Sequence, residues 1–333
     1  MKKPESQEFP VYKKLGDILT QSTEHPDNVV AHVCATCAGY GYSDADTMAM
    51  IMARMGLREN HCREVTQSVD PMFICSHAFL VQSRDGRVVI LCYRGTEPIN
   101  FINWLTDADV CPETVPFPFR DAPGSFDVHG GFYRNVRSTR HEVIQALSRA
   151  LEGRSVHAKG EPMPQPLEAL YITGHSLGGA MAAMMAVMLR TQQAYEPIAR
   201  KLRAVYTFGQ PMIGDPGLAQ ACDGDDFLRH NVIRYVYGND VVPQLPPQVS
   251  GPFAHFGHEW HCDRGVLPSQ AGNPTAQLGN LTGLAIAPLA FLAKQVRLFR
   301  ELPFHQSLYD HGPQHYISAL TPAGVASEFG DPG

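Results

Sequence analysis

Short, nearly continuous apolar runs alternate along this chain with longer segments of helical period. Residues 78–83 and 87–93 are apolar enough for two strands, and Asp85-Gly86 between them supplies a turn. Residues 169–173, 204–208 and 232–237 read as three further strands. Residues 29–38, 44–55, 132–151 and 177–190 carry the spacing of helices. The second of these opens on Ser43-Asp44-Ala45-Asp46, a capping-box pattern that offers acceptors to the orphan amides of a first turn. Its methionines, Met48, Met50, Met52 and Met55, suit an adaptable packing face. Buried strands alternating with helices predict an α/β fold, with a mostly parallel central sheet and helices on both faces.

Residues 278–293 depart from this pattern. They carry no charge, hold Leu281, Leu284, Ile286, Leu289, Phe291 and Leu292, and are followed by Lys294, Arg297 and Arg300. A membrane span needs about 20 apolar residues, and Pro288 would bend this shorter run. A core helix is one reading; a cap or a helix lying in a lipid interface is the other.

Composition narrows the class. With 333 residues and 44% apolar content the chain can bury one large core, and 18% charge argues against widespread disorder. The net charge of -6, without a block of lysine or arginine, excludes nucleic acid as an expected partner. No apolar run follows the basic start Met1-Lys2-Lys3, so no secretory signal is expected; the compartment stays open, with the cytoplasm or a membrane periphery favoured. The eight cysteines are scattered, which fits reduced thiols rather than a disulfide framework.

The chemistry centres on Gly174-His175-Ser176-Leu177-Gly178-Gly179. A buried strand leads directly into it and a helix follows, the context in which a Gly-x-Ser-x-Gly turn presents a nucleophilic serine. The glycines leave room where strand and helix backbones nearly touch, and the helix N-terminus places partial positive charge near a developing oxyanion. A serine hydroxyl needs a base, usually a histidine oriented by a carboxylate, and with this turn the chain order is Ser, acid, His. Asp240 follows the strand at 232–237 and is the acid candidate; Asp215, Asp223, Asp225, Asp226 and Asp263 compete, with solvated loop charges as their ordinary reading. His311 and His315, in Tyr309-Asp310-His311-Gly312-Pro313-Gln314-His315-Tyr316, are the base candidates, and chemistry leaves both open.

Several motifs in order resemble the class 3 lipases, a family of fungal triacylglycerol lipases and bacterial relatives. Tyr93-Arg94-Gly95-Thr96 looks like its oxyanion loop, Asn103-Trp104-Leu105-Thr106-Asp107 the stretch after its lid, and Val128-His129-Gly130-Gly131-Phe132-Tyr133 the lead into its long helix. Tyr206-Thr207-Phe208-Gly209-Gln210-Pro211 resembles the next strand end, Asp240-Val241-Val242-Pro243 the acid segment, and Asp310-His311 with Tyr316 the bacterial histidine segment. The resemblance covers residues 78–320. It implies an α/β-hydrolase fold in a single domain over 1–333, with Ser176, Asp240 and His311 as the triad and Thr96 and Leu177 as oxyanion donors. It also implies a lid at 97–107, where Ile99, Phe101, Ile102 and Trp104 would meet lipid. Residues 1–75 are expected as an N-terminal helical extension and 263–300 as a cap or interfacial insertion. Met212 and Asp215 stand where the family often has Arg and Asn, and the longer 263–300 region leaves the ester open.

Two other signals are set aside. His255, His258, Glu259, His261 and Cys262 have ligand chemistry without ligand spacing, and His255-Phe256-Gly257-His258-Glu259 resembles a structural strand of the same family. Cys34-Ala35-Thr36-Cys37 has the spacing of a redox motif but lies in a helical stretch. The expected activity is therefore hydrolysis of carboxylic esters by a triacylglycerol lipase or carboxylesterase through an acyl-enzyme, with no cofactor or metal. The expected partner is a lipid or ester substrate, met at a lipid interface. Phospholipase A1, an esterase for aromatic (feruloyl-type) acyl groups, and a catalytically silent binding protein are the rivals.

Overall fold

The computed structural model describes residues 9–69, 74–95, 112–120, 122–246, 251–263, 266–270 and 309–331. Its centre is an eight-stranded sheet in the order β1-β2-β3-β6-β7-β8-β9-β10. Strands β3 (Val88–Tyr93), β6 (Ala169–His175), β7 (Leu202–Phe208), β8 (Val232–Tyr237) and β9 (His258–Asp263) run parallel. Antiparallel β2 (Ile74–Gln82) and β1 (His61–Val69) extend one edge, and antiparallel β10 (Val266–Gln270) the other. Strands β4 (Pro112–Pro118) and β5 (Pro123–His129) form a separate hairpin.

The sheet is covered on both faces, as the alternation of its strands requires. Leu91, Tyr93, Leu170, Ile172 and Val205 pack against α4 (Gly130–Leu151) and α5 (Leu177–Thr191). Ile90, Cys92, Tyr171, Tyr206 and Tyr235 point the other way, into a core shared with α1 (Leu15–Gln21), α2 (Asn28–Tyr40), α3 (Ala45–Met55) and α9 (Pro313–Leu320). Helix α5 is buried on almost every side, which explains its alanines and methionines: small or adaptable side chains let it lie close to the strands. Helices α2 and α3 begin where Asp27 accepts from the Val29 and Val30 amides and Asp44 from the Thr47 amide at 2.7 Å. The short α6 (Glu196–Ala199), α7 (Pro216–Gly224) and α8 (Asp226–Asn231) lie in the β6–β7 and β7–β8 connections.

The expected α/β-hydrolase architecture is present, with two changes at its margins. Residues 1–75 are not a wholly helical extension: β1 lies within them, and α1–α3 close one face of the sheet. As an edge strand, β1 places only Val65 fully inside, so its sequence lacks a continuous apolar signal. The β9–β10 hairpin occupies the start of the stretch expected as a cap, with Ser269 opposite His261 and Gln270 opposite Trp260. Residues 271–300, including 278–293, lie outside the described residues, as does the expected lid at 97–107 with Ile99, Phe101, Ile102 and Trp104.

Cys34 and Cys37 are fully buried in α2; burial pushes the Cys34 thiol well above the usual range, and the hydrogen bond with Cys92, then burial, does the same for Cys37, so this spacing presents no reactive thiolate. The seven cysteines of the described residues are free. The histidine-rich stretch is engaged in structural contacts. Glu259 pairs with buried Arg234 at 3.0 Å and with His261 at 2.9 Å, and His255 meets the Pro243 carbonyl at 2.7 Å.

Candidate active site

Ser176 sits between the last residue of β6 and the first of α5. Its backbone is at φ 60° and ψ -129°, a region that is nearly glycine-only and costs about 1–3 kcal/mol for other residues. The surrounding packing forces this turn. A Cβ on Gly174 would stand 2.3 Å from the Gly178 carbonyl carbon, and one on Gly178 would stand 2.1 Å from the Tyr93 oxygen. The Ser176 amide donates to the Phe208 carbonyl at 2.9 Å, tying the elbow to the end of β7. Its hydroxyl is buried and has no hydrogen-bond partner among the described residues.

Asp240 arrives from β8 through a turn at Gly238 (φ 48°) and is 2% exposed. Its carboxylate collects three donors. The Val242 amide gives to Oδ1 at 2.9 Å; His311 Nδ1 gives to Oδ2 at 2.8 Å, and the Tyr316 hydroxyl to the same oxygen at 2.5 Å. Because Nδ1 faces a carboxylate it carries the proton, which leaves Nε2 as the basic nitrogen of His311. Burial, with the Asp240 charge beside it, pushes the Tyr316 phenol well above its usual range, so Tyr316 remains a donor. Asp240 and His311 meet around Gly209, just beyond the end of β7, whose last residue accepts from the Ser176 amide. A Cβ on Gly209 would be 2.6 Å from Asp240 Oδ2 and 2.8 Å from His311 Nδ1.

His315 is elsewhere: its ring stacks on Tyr237 with centroids 5.1 Å apart and tilts against Tyr309 at 4.6 Å. Most of the competing carboxylates have structural partners. Asp215 caps α7 through the Leu218 amide and also accepts from the Asp127 amide. Asp225 caps α8 and holds Arg190, Asp223 accepts from the Gly257 amide, and Asp226 meets Arg229. Asp263 ends β9.

Leu177 is the first residue of α5, where the leading amides lack intrahelical acceptors. Thr96 lies outside the described residues, but the chain approaches the elbow just before it: a Cβ on Gly178 would lie 2.9 Å from Gly95 N. Two features were not legible in the motifs. Gly209 is needed because its φ is 58° and no side chain fits between Asp240 and His311. His175, the second residue of the motif, reaches the His311 carbonyl through Nε2 at 2.7 Å and Tyr42 through Nδ1 at 2.8 Å. Nothing in the local sequence of the turn between α2 and α3 marks Tyr42 as part of this site.

Comparison with known proteins bears on the fold and on the family of the sequence. Residues 90–250 match the family model described as lipase (class 3). The triacylglycerol lipase OBL1 of Ricinus communis is 29% identical, over 55% of this chain and 40% of that protein. The lipase of Rhizomucor miehei is 27% identical over 56% of this chain and 44% of that protein; phospholipase A1-II 1 of Oryza sativa subsp. indica is 30% identical over 56% and 47%. The chain thus spans less than half the length of these relatives. Among solved structures, the Rhizomucor miehei lipase propeptide complex superposes with a TM-score of 0.56 at 19% identity, covering 88% of this chain and 80% of that one. Lipase II from Rhizopus niveus gives 0.53 at 20% identity, over 70% and 80%. At such identity the superpositions speak to the fold, whereas the sequence match points to a family: residues 90–250 are similar to the class 3 lipases.

Proposed function

We propose that this protein is a serine hydrolase of carboxylic esters, acting on acylglycerols as a lipase or carboxylesterase in peripheral contact with lipid. The observation that carries the reading is the buried His311–Asp240 pair, at 2.8 Å, on the strand ends where Ser176 occupies its strained elbow. His311 Nε2 takes the Ser176 proton as Oγ attacks the ester carbonyl. The Leu177 amide, and Thr96 by its place in the sequence, stabilise the oxyanion; losing one such donor costs about 3–4 kcal/mol. His311 then protonates the departing alcohol, and Asp240 stabilises the imidazolium. Water resolves the acyl-enzyme by the same steps in reverse order, so protein groups alone suffice.

A second reading, phospholipase A1, is favoured by the rice relative of that name. A panel of p-nitrophenyl esters, triglyceride emulsions and phosphatidylcholine vesicles separates the two. Hydrolysis by wild type, its loss in Ser176→Ala and His311→Ala, and its survival in His315→Ala are expected. Equal rates in wild type and Ser176→Ala would end the mechanism. Turnover of vesicles in preference to emulsions would favour the second reading.

A further inference from the structure

The turn between α2 and α3 reaches into the elbow through one side chain. The Tyr42 hydroxyl is 2.8 Å from His175 Nδ1, and the rings meet edge to face at 5.9 Å. His175 Nε2 is 2.7 Å from the backbone carbonyl of His311, and the two imidazoles lie 4.5 Å apart. A carbonyl can only accept, so His175 carries its proton on Nε2. Burial, and secondarily the neighbouring His311, holds the His175 imidazole well below the usual histidine range, so it is neutral. Its Nδ1 is therefore an acceptor, and the Tyr42 hydroxyl is the donor. The hydrogen bonds run in one direction, from Tyr42 to His175 to the main chain of His311.

The same hydroxyl touches the opposite wall of the site. A Cβ on Gly95 would fall 2.3 Å from Tyr42 Oη and 2.5 Å from the His175 carbonyl oxygen. The backbone one residue before Thr96 is therefore packed directly on the tyrosine oxygen. The Arg94 guanidinium lies over the Tyr42 ring, 6.0 Å from its centroid.

We propose that Tyr42 is a positioning residue for acyl transfer: clamped between Gly95 and His175, it fixes the His175 tautomer and thereby holds the turn bearing His311 against the nucleophile elbow. This role rests on the ester-hydrolase reading for its consequence, although its hydrogen bonds exist independently of any substrate. Tyr42 would touch neither the substrate nor a reacting atom. Its loss frees His175 to rotate or to move its proton to Nδ1, and either change releases the His311 carbonyl.

The test compares wild type, Tyr42→Phe and Tyr40→Phe. Phenylalanine at 42 keeps the ring and removes the donor. Tyr40, the last residue of α2 and two positions before Tyr42, bonds Glu328, so its variant controls for losing a tyrosine hydroxyl there. Steady-state hydrolysis of p-nitrophenyl butyrate gives kcat and KM, and the rate of Ser176 phosphonylation by a fluorophosphonate reports nucleophile activation without ester turnover. A misplacement of about 1 Å costs on the order of a hundredfold, so this smaller loosening is expected to lower kcat and the phosphonylation rate about tenfold. KM should stay within about twofold, the melting temperature should hold, and Tyr40→Phe should match wild type. Ring-nitrogen NMR should show His175 protonated on Nε2 in wild type.

Equal phosphonylation of wild type and Tyr42→Phe would overturn the role. So would His175 protonated on Nδ1, or a loss of rate matched by a fall in melting temperature or shared by Tyr40→Phe. A wild type inert to all esters yet phosphonylated faster than Tyr42→Phe would sink the substrate reading and support the positioning role. A wild type that neither hydrolyses nor is phosphonylated would overturn both.

Discussion

Gly209→Ala inserts one methyl group at the point where Asp240 and His311 meet. The new Cβ would lie 2.6 Å from Asp240 Oδ2 and 2.8 Å from both Nδ1 and Cε1 of His311. Ordinary contact begins near 3.5 Å, so carboxylate and imidazole must retreat by roughly 0.7–0.9 Å. Neither has a free direction, because Asp240 is held by Val242 and Tyr316, and His311 by His175. Displacement on the scale of 1 Å costs on the order of a hundredfold in rate, and that is the expected fall in kcat/KM. The backbone cost is separate: φ is 58°, and a left-handed conformation costs a non-glycine residue about 1–2 kcal/mol. For a chain of this size that lowers Tm by about 2–3 °C. Hydrolysis of p-nitrophenyl butyrate and a thermal melt measure both effects. Gly224→Ala serves as the control, since a Cβ on that helical glycine meets nothing within 4 Å. A Gly209→Ala enzyme with kcat/KM within twofold of wild type would refute the assignment of the His311–Asp240 contact to the reaction.

Other consequences follow from the same geometry. Tyr316→Phe removes one of three donors to the buried Asp240 carboxylate, a charge-assisted bond worth about 1.5–3 kcal/mol. Tm should fall by several degrees and kcat about tenfold, and an unchanged melt would contradict the bond. Burial lowers His32 to about 4 and His129 to about 3, both below an unfolded value near 6.5. The unfolded chain therefore binds protons that the fold refuses. Stability is fully present above about pH 6.5 and is lost as pH falls toward 4 and then 3, at about 1.4 kcal/mol per unit for each histidine. Urea unfolding across that window measures it, and a flat profile would exclude neutral buried histidines. Asp215→Ala strips the cap of α7 and the bond to the Asp127 amide, so it should cost about 1–2 kcal/mol in a denaturation curve. Its kcat should not change, because Asp215 touches none of Ser176, Asp240 or His311.

Much of the frame was legible because its signals are local. Strand β8 spans the residues its apolar run indicates, and β6 and β7 extend theirs by only two residues. They are buried on both faces and so lack polar interruptions. The β4–β5 hairpin was not legible: Pro112, Pro116 and Pro118 obscure a strand that tolerates them only because it is one of a pair with open edges. Strand β1 was missed for a related reason, since an edge strand that buries little has little apolar pattern to display.

Local sequence is enough to mark the candidate nucleophile. A strained serine between a buried strand and a helix requires glycine at 174 and 178, and that requirement is written in five consecutive residues. It also indicated an acid at a strand end, because Asp240 follows β8 by three residues. Tertiary packing gives His311 and His315, four residues apart, different surroundings: one meets Asp240, and the other stacks on Tyr237. Only the tertiary structure brought Tyr42 to Gly95 and His175, and α1–α3 to one face of the sheet. Local sequence specifies turns and periodicity, which act over a few residues. A hydrogen bond between residues 42 and 175 depends on how the helix layer seats on the strands, and that is settled by packing across the whole core.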